Sequence, residues 1–177
     1  AKILAGKPRH WLEWYQGCRQ FNFEVPATFV PAQLTPDQIR EVNAMVHVEN
    51  ELIDEAVGRV MHRIEALGWG RDTDVFYTTD HGELQGDFGM LFKGPYHVDA
   101  LMRLPFIWRP ALSAGIAPAE IHAPVGHLDL APTICRLAGL PVPDWMQGAP
   151  LPTHESDNQG HERTITEWQD GFAGQDI

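Results

Sequence analysis

The chain has 177 residues, 44% of them hydrophobic and 21% charged, a composition that suits a globular protein with a sizeable core. Its net charge of −11 excludes broad nucleic-acid binding, which needs basic patches against phosphate, and no run of Lys or Arg supplies a local one. No apolar stretch approaches the ~18 residues of a membrane span, and two distant cysteines give neither a disulfide framework nor zinc spacing.

Residues 1–34 are rich in aromatics and prolines (Trp11, Trp14, Tyr15, Phe21, Phe23, Pro26, Phe29) without clear periodicity, and are expected to form an irregular connecting segment. Thr35-Pro36-Asp37-Gln38 then opens a long helix. Thr35 caps it, Pro36 suits the first helical position and Gln38 completes a capping box. Ile39, Val42, Met45, Val46, Ile53, Ala56, Val57, Val60, Ile64 and Leu67 recur at intervals of three and four, a stripe expected to face a sheet. Asp37, Glu41, Glu49 and Glu51 make the solvated face, and Gly68 supplies the stop.

Residues 74–79 form the next element, a strand whose continuous apolar run suits a parallel strand buried on both faces. A glycine-punctuated loop over 84–95, a short helix around 98–102 and a strand over 105–108 follow. An Ala/Pro-rich surface loop spans 110–124, and Asp129 is expected to cap a helix over 130–137 closed by Gly139. One last strand is expected over 165–168, then a tail over 169–177. There are no internal repeats. The helix-then-strand order points to α/β architecture.

The chemistry concentrates where the strand 74–79 ends. Asp80 and His81 stand side by side at its carboxyl end, where open α/β sheets place ligands, and Gly82 permits a sharp turn. A carboxylate oxygen and an imidazole nitrogen are joint ligands suited to a divalent cation. Lys93, twelve residues after His81, offers donors and positive charge to an anion on that cation. His97 follows closely enough to line the same pocket as a proton donor, although a surface histidine is the commoner fate. Glu83 reads either as a residue supporting the ligand pair or as a solvent-facing turn residue.

These residues carry a family resemblance. Val75-Phe76-Tyr77-Thr78-Thr79-Asp80-His81-Gly82-Glu83 is followed by Phe92-Lys93-Gly94-Pro95, then by Arg103-Leu104-Pro105-Phe106-Ile107-Trp108. His127-Leu128-Asp129-Leu130-Ala131-Pro132-Thr133, Leu137-Ala138-Gly139-Leu140-Pro141 and Gln147-Gly148 complete the order. Over 35–168 the chain resembles the sulfatase family of the alkaline phosphatase superfamily, and it resembles the carboxyl-terminal half of such an enzyme. The resemblance implies a partial alkaline-phosphatase-like domain, a mostly parallel sheet flanked by helices. It implies a sulfuric ester hydrolase in which Asp80 and His81 are metal ligands and Lys93, with His97, contacts the sulfate of a small molecule or saccharide.

In the family an Asp-Asn pair usually accompanies calcium; Asp80-His81 moves the balance toward manganese or another transition metal, with calcium still open. The family nucleophile, a formylglycine made in Cys-x-Pro-x-Arg or Ser-x-Pro-x-Arg, has no counterpart in these residues. Cys18 precedes Arg19-Gln20 and Cys135 precedes Arg136-Leu137. The nucleophile is therefore expected in an absent amino-terminal half, and the chain alone is expected to be inactive and prone to associate through exposed apolar surface. Where the family has Glu-Glu, this chain has Asp99-Ala100, leaving Asp99 as the one acidic partner for Arg103. Two alternatives stand beside this reading: a phosphonate monoester or phosphodiester hydrolase of the same superfamily, and a non-catalytic half-domain that binds or scaffolds. Oligomer formation is compatible with all three, and the compartment, cytoplasmic or periplasmic, is left open.

Overall fold

A computed structural model describes residues 2–17, 30–154, 156–157 and 162–167. Contacts divide the described residues into two compact units, one within 1–113 and one formed by Ala114–Glu167. The first holds helices α1 (Arg9–Tyr15), α2 (Pro36–Ala66) and α3 (Asp99–Met102), with strands β1 (Val75–Thr78), β2 (Leu84–Gln85), β3 (Leu91–Phe92) and β4 (Phe106–Arg109). The second is built around α4 (Leu130–Leu137). Mixed helix and strand in this order agree with part of an α/β domain.

The capping box of α2 forms as its sequence dictates. Thr35 Oγ1 accepts the Gln38 N–H at 3.2 Å, and the Thr35 N–H donates to Gln38 Oε1 at 2.9 Å. Gly68 takes φ +74° just past the helix end, in the left-handed region where a Cβ is penalised. The expected burial of the apolar stripe does not follow. No residue of α2 is buried, and Met45, Ile53 and Val60 of the stripe are 62%, 51% and 59% exposed. Among the described residues the helix meets the strands chiefly at β2. There Asn43 Nδ2 donates to Gln85 O at 2.9 Å, and the Ile39 side chain lies against Gly86.

The expectation of a mostly parallel sheet is corrected for the described residues. β1 pairs antiparallel with β4, Val75 opposite Arg109 and Thr78 opposite Phe106, and β2 pairs antiparallel with β3. The chain between β1 and β4 folds as the β2–β3 hairpin and the four-residue α3, and so supplies no long crossover helix of the kind that joins parallel strands. The apolar run of β1 is explained instead by its partner: Phe76 stacks on Trp108 at 5.4 Å. Asp74 anchors the same pair, accepting the Trp108 indole N–H at 2.9 Å and the Ala111 N–H at 3.2 Å.

The 1–34 segment is not irregular throughout: residues 9–15 form α1. Trp11 and Trp14 bury with Leu4, Leu84, Met90, Tyr96 and Leu101 in the core of the first unit. Of the exposed apolar surface expected from helix and aromatic segment, the helix supplies its share and these two tryptophans do not. Phe21, Phe23, Pro26 and Phe29 lie outside the described residues, as does the tail. The glycine-punctuated loop closes as a hairpin, β2 to β3. Residues 162–167 contain no strand, against the expected one at 165–168, whose Trp168 lies outside the described residues.

In the second unit α4 has the expected bounds and ends before Gly139 at φ +68°. Asp129 does not cap it. The buried carboxylate accepts N–H groups of Gly126 at 2.8 Å and Ala149 at 2.9 Å, pinning a 3-10 turn to the incoming loop. Thr133 Oγ1 donates to Asp129 O at 2.6 Å and accepts the Leu151 N–H at 2.8 Å. Asp129→Ala strips two charge-assisted bonds from part-buried amides, and is expected to cost about 3 kcal/mol. In urea its midpoint should fall with an unchanged slope; an unchanged midpoint would contradict this account.

Candidate functional site

The end of β1 turns through Thr79, Asp80, His81 and Gly82. The Gly82 N–H donates to Leu101 O at 2.9 Å, and a Cβ on Gly82 would stand 1.9 Å from Ala100 O. Only glycine lets the turn seat against α3, and that contact fixes where the two preceding side chains emerge.

Asp80 is open to solvent, its side chain 83% exposed, while His81 is half-buried. Asp80 Oδ1 accepts the His81 backbone N–H at 3.0 Å, and Thr79 Oγ1 lies 3.3 Å from the same oxygen. His81 Nδ1 stands 2.9 Å from Gly82 O. A carbonyl only accepts, so Nδ1 carries the ring proton and Nε2 is left with its lone pair. That lone pair lies 3.4 Å from Asp80 Oδ2. Two electron-rich atoms at this separation can share a single cation. A backbone-held Nδ1–H is also how metal-bound histidines are commonly oriented. The pair therefore fits part of a divalent-cation ligand set, one oxygen and one nitrogen. Among the described residues no third His, Cys, Asp or Glu joins it.

The backbone N–H of His81 is the largest influence on the Asp80 carboxyl and holds it below its ordinary range; burial opposes it, and the nearby imidazole and the Thr79 hydroxyl add to the lowering. A depressed folded-state value gives stability that is complete above the unfolded carboxylate value and lost as pH falls through the folded one. Carboxyl carbon shifts followed by NMR should show Asp80 titrating below the ordinary aspartate range; titration at or above that range would contradict the assignment.

Lys93 leaves the chain directly after β3. Leu84 pairs with Phe92 at the open end of the hairpin, so Lys93 lies just past that pair as Glu83 lies just before it, two positions from His81. Lys93 is half-buried, and among the described residues no carboxylate pairs with it. A partly desolvated ammonium without a counter-ion favours an anion. Phe92 before it sits at φ +69°, a left-handed conformation that costs a bulky residue roughly 1–3 kcal/mol. Gly94 after it is required, because a Cβ would meet the Tyr96 ring at 2.7 Å. His97 is exposed on the loop that follows.

Arg103 and Asp99 meet through the backbone, Arg103 N–H to Asp99 O at 2.9 Å, and among the described residues their side chains form no ion pair. His127 is exposed. Sequence reading singled out neither Thr79 nor His10, whose Nε2 lies 3.1 Å from Pro95 O. A hydroxyl beside an acid is too common to signal a role, and the His10 contact spans 85 positions.

Comparison with known proteins gives these features a family. The chain is 29% identical over 145 residues to the uncharacterized sulfatase YidJ of Escherichia coli (strain K12), covering 82% of this chain and 26% of YidJ. It is 34% identical over 120 residues to an N-acetylglucosamine-6-O-sulfatase of Bacteroides thetaiotaomicron, covering 66% of this chain and 20% of that protein. Among solved structures it resembles BT4656 in complex with its substrate D-glucosamine-2-N,6-O-disulfate, with 28% identity and a TM-score of 0.50 over 66% of this chain and 23% of that one. The chain thus spans about a quarter of the length of these relatives or less. Residues 40–140, more than half of the chain, match the sulfatase family, and the β1 end, the lysine hairpin, β4 and α4 all fall inside that match: the chain belongs to the sulfatase family.

Proposed function

We propose that this chain is the carboxyl-terminal, metal- and sulfate-binding part of a sulfuric ester hydrolase. The observation that carries the proposal is the Asp80–His81 pair: Nε2 and Oδ2 lie 3.4 Å apart, with Nδ1 already committed to Gly82 O. Asp80 and His81 would hold a divalent cation, calcium or manganese, which when bound supplies Lewis acidity toward sulfate oxygens. Asp80 supplies the negative charge and stays ionised at neutral pH, and His81 supplies a nitrogen whose orientation is fixed before any ligand arrives. Lys93 would hold a sulfate oxygen and oppose the charge that grows on the bridging oxygen as the ester bond breaks. His97, exposed beyond it, would meet the substrate at the rim. The formylglycine nucleophile would come from outside these 177 residues, which contain no Cys-x-Pro-x-Arg or Ser-x-Pro-x-Arg.

The substrate class we infer is a sulfated saccharide. Support comes from the relative named N-acetylglucosamine-6-O-sulfatase and from the disulfated glucosamine in the similar solved structure. Among the described residues no helix is long and apolar enough to cross a membrane. The deciding experiment follows turnover of an aryl sulfate and an aryl phosphonate by the whole protein that carries this chain, after chelation and after return of calcium or manganese. Faster sulfate turnover that needs the cation supports the proposal. Faster phosphonate turnover points to the phosphonate and phosphodiester hydrolases of the superfamily, and cation binding without turnover of either ester points to a binding subunit.

A further inference from the structure

We propose that His10 is a positioning residue for Lys93, a histidine of α1 that fixes the loop on which the anion-binding lysine stands. The inference rests on the reading of Lys93 given above. His10 is only 9% exposed, and its Nε2 lies 3.1 Å from Pro95 O. The proline carbonyl only accepts, so Nε2 carries the proton and donates. The imidazole also stacks on Tyr96 at 5.7 Å, and Trp11 meets the same ring edge-on at 4.8 Å. The segment immediately after Lys93 is therefore gripped from α1 by one hydrogen bond and two rings.

The backbone around Lys93 depends on such a grip. Phe92 is held at φ +69°, a conformation that a phenylalanine keeps only where its surroundings over-determine it. The loop beyond is tightly folded, Tyr96 N–H to Gly94 O at 2.7 Å and Val98 N–H to Tyr96 O at 3.1 Å. Without the His10 bond the loop gains freedom, Phe92 can relax toward negative φ, and the direction in which Lys93 leaves the chain changes. The Asp80–His81 turn is seated through Gly82 on Leu101 of α3, and not on the Pro95 carbonyl that His10 holds. His10 thus acts most directly on the anion contact.

The chain has three lysines, Lys2, Lys7 and Lys93, so acylation by a small activated ester and peptide mass spectrometry reads each one separately. Wild type is compared with His10→Met, which fills the space without a donor, and with His10→Gln, whose amide can still donate to Pro95 O. His10→Met is expected to change the Lys93 acylation rate about fivefold, the factor for one hydrogen bond of ordinary strength. Lys2 should keep its rate, and His10→Gln should stay within about twofold of wild type at Lys93. An unchanged Lys93 rate in His10→Met, an equal change at Lys2, or a His10→Gln that behaves as His10→Met would each overturn the proposal. A parallel series with inorganic sulfate separates the two levels. Protection of Lys93 that needs more sulfate in His10→Met supports the proposal. Absence of protection in wild type defeats the anion-site reading of Lys93 instead, and the acylation comparison still decides the role of the His10 bond.

Discussion

Gly82→Ala is expected to destabilise the first unit by about 3 kcal/mol or more, beyond the usual cost of an added methyl in a packed interior. The added Cβ would fall 1.9 Å from Ala100 O, 2.9 Å from Ala100 C and 2.9 Å from Leu101 Cα. All three are backbone atoms, so no rotamer change relieves the clash. Either β1 lifts away from α3, breaking the Gly82 N–H to Leu101 O bond, or α3 moves and takes the buried Leu101 with it. Both routes also displace Asp80 and His81. A thermal melt should show a loss of roughly 10 °C for a chain of this size. A melt within two or three degrees of wild type would mean that the turn is softer than its packing indicates.

The second large effect is on chemistry. Lys93→Met is expected to lower kcat of the whole protein carrying this chain by about 10²–10³, the range seen when one charge-stabilising donor is removed. Because the charge it opposes grows during bond breaking, kcat and kcat/KM should fall together; a rise in KM at constant kcat would assign the lysine to ground-state binding alone. Stability should move by no more than about 0.5 kcal/mol, since among the described residues Lys93 has no ion pair to lose. Lys93→Arg should recover little, because a planar fork does not replace a compact ammonium in a half-buried position.

The elements that could be read directly from sequence are those fixed by neighbours in the chain. Thr35 and Gln38 are three residues apart, and their reciprocal bonds follow from helix geometry. The same holds for Gly68 and Gly139 as helix stops, and for the placement of Asp80 and His81 at the end of an apolar strand. What could not be read depends on long-range packing. Trp11 finds Tyr96, and His10 finds Pro95, across 85 positions, so α1 showed no periodic face and passed for a connector. The direction of strand pairing was hidden as well, because an apolar run records burial and not the orientation of the partner. Asp129 looked like a cap for α4 since an acid before a helix commonly serves as one. Its carboxylate is drawn instead to two amides, Gly126 and Ala149, the second of them 20 positions away.

A helix of 31 residues without a buried side chain also sets how the first unit opens. Its backbone hydrogen bonds are internal to the segment, and its exposed pairs, Arg59 with Glu55 and Arg40 with Asp37, add only a few tenths of a kcal/mol each. The fastenings at Ile39 and Asn43 both lie in the first turns. Amide exchange should therefore be graded along α2: slow near Asn43, where opening also disturbs β2, and progressively faster toward Gly68, where turns unravel in small local events. The aromatic core around Trp14 and Tyr96 belongs to a separate and more costly opening, so the lysine hairpin stays closed while much of the long helix exchanges.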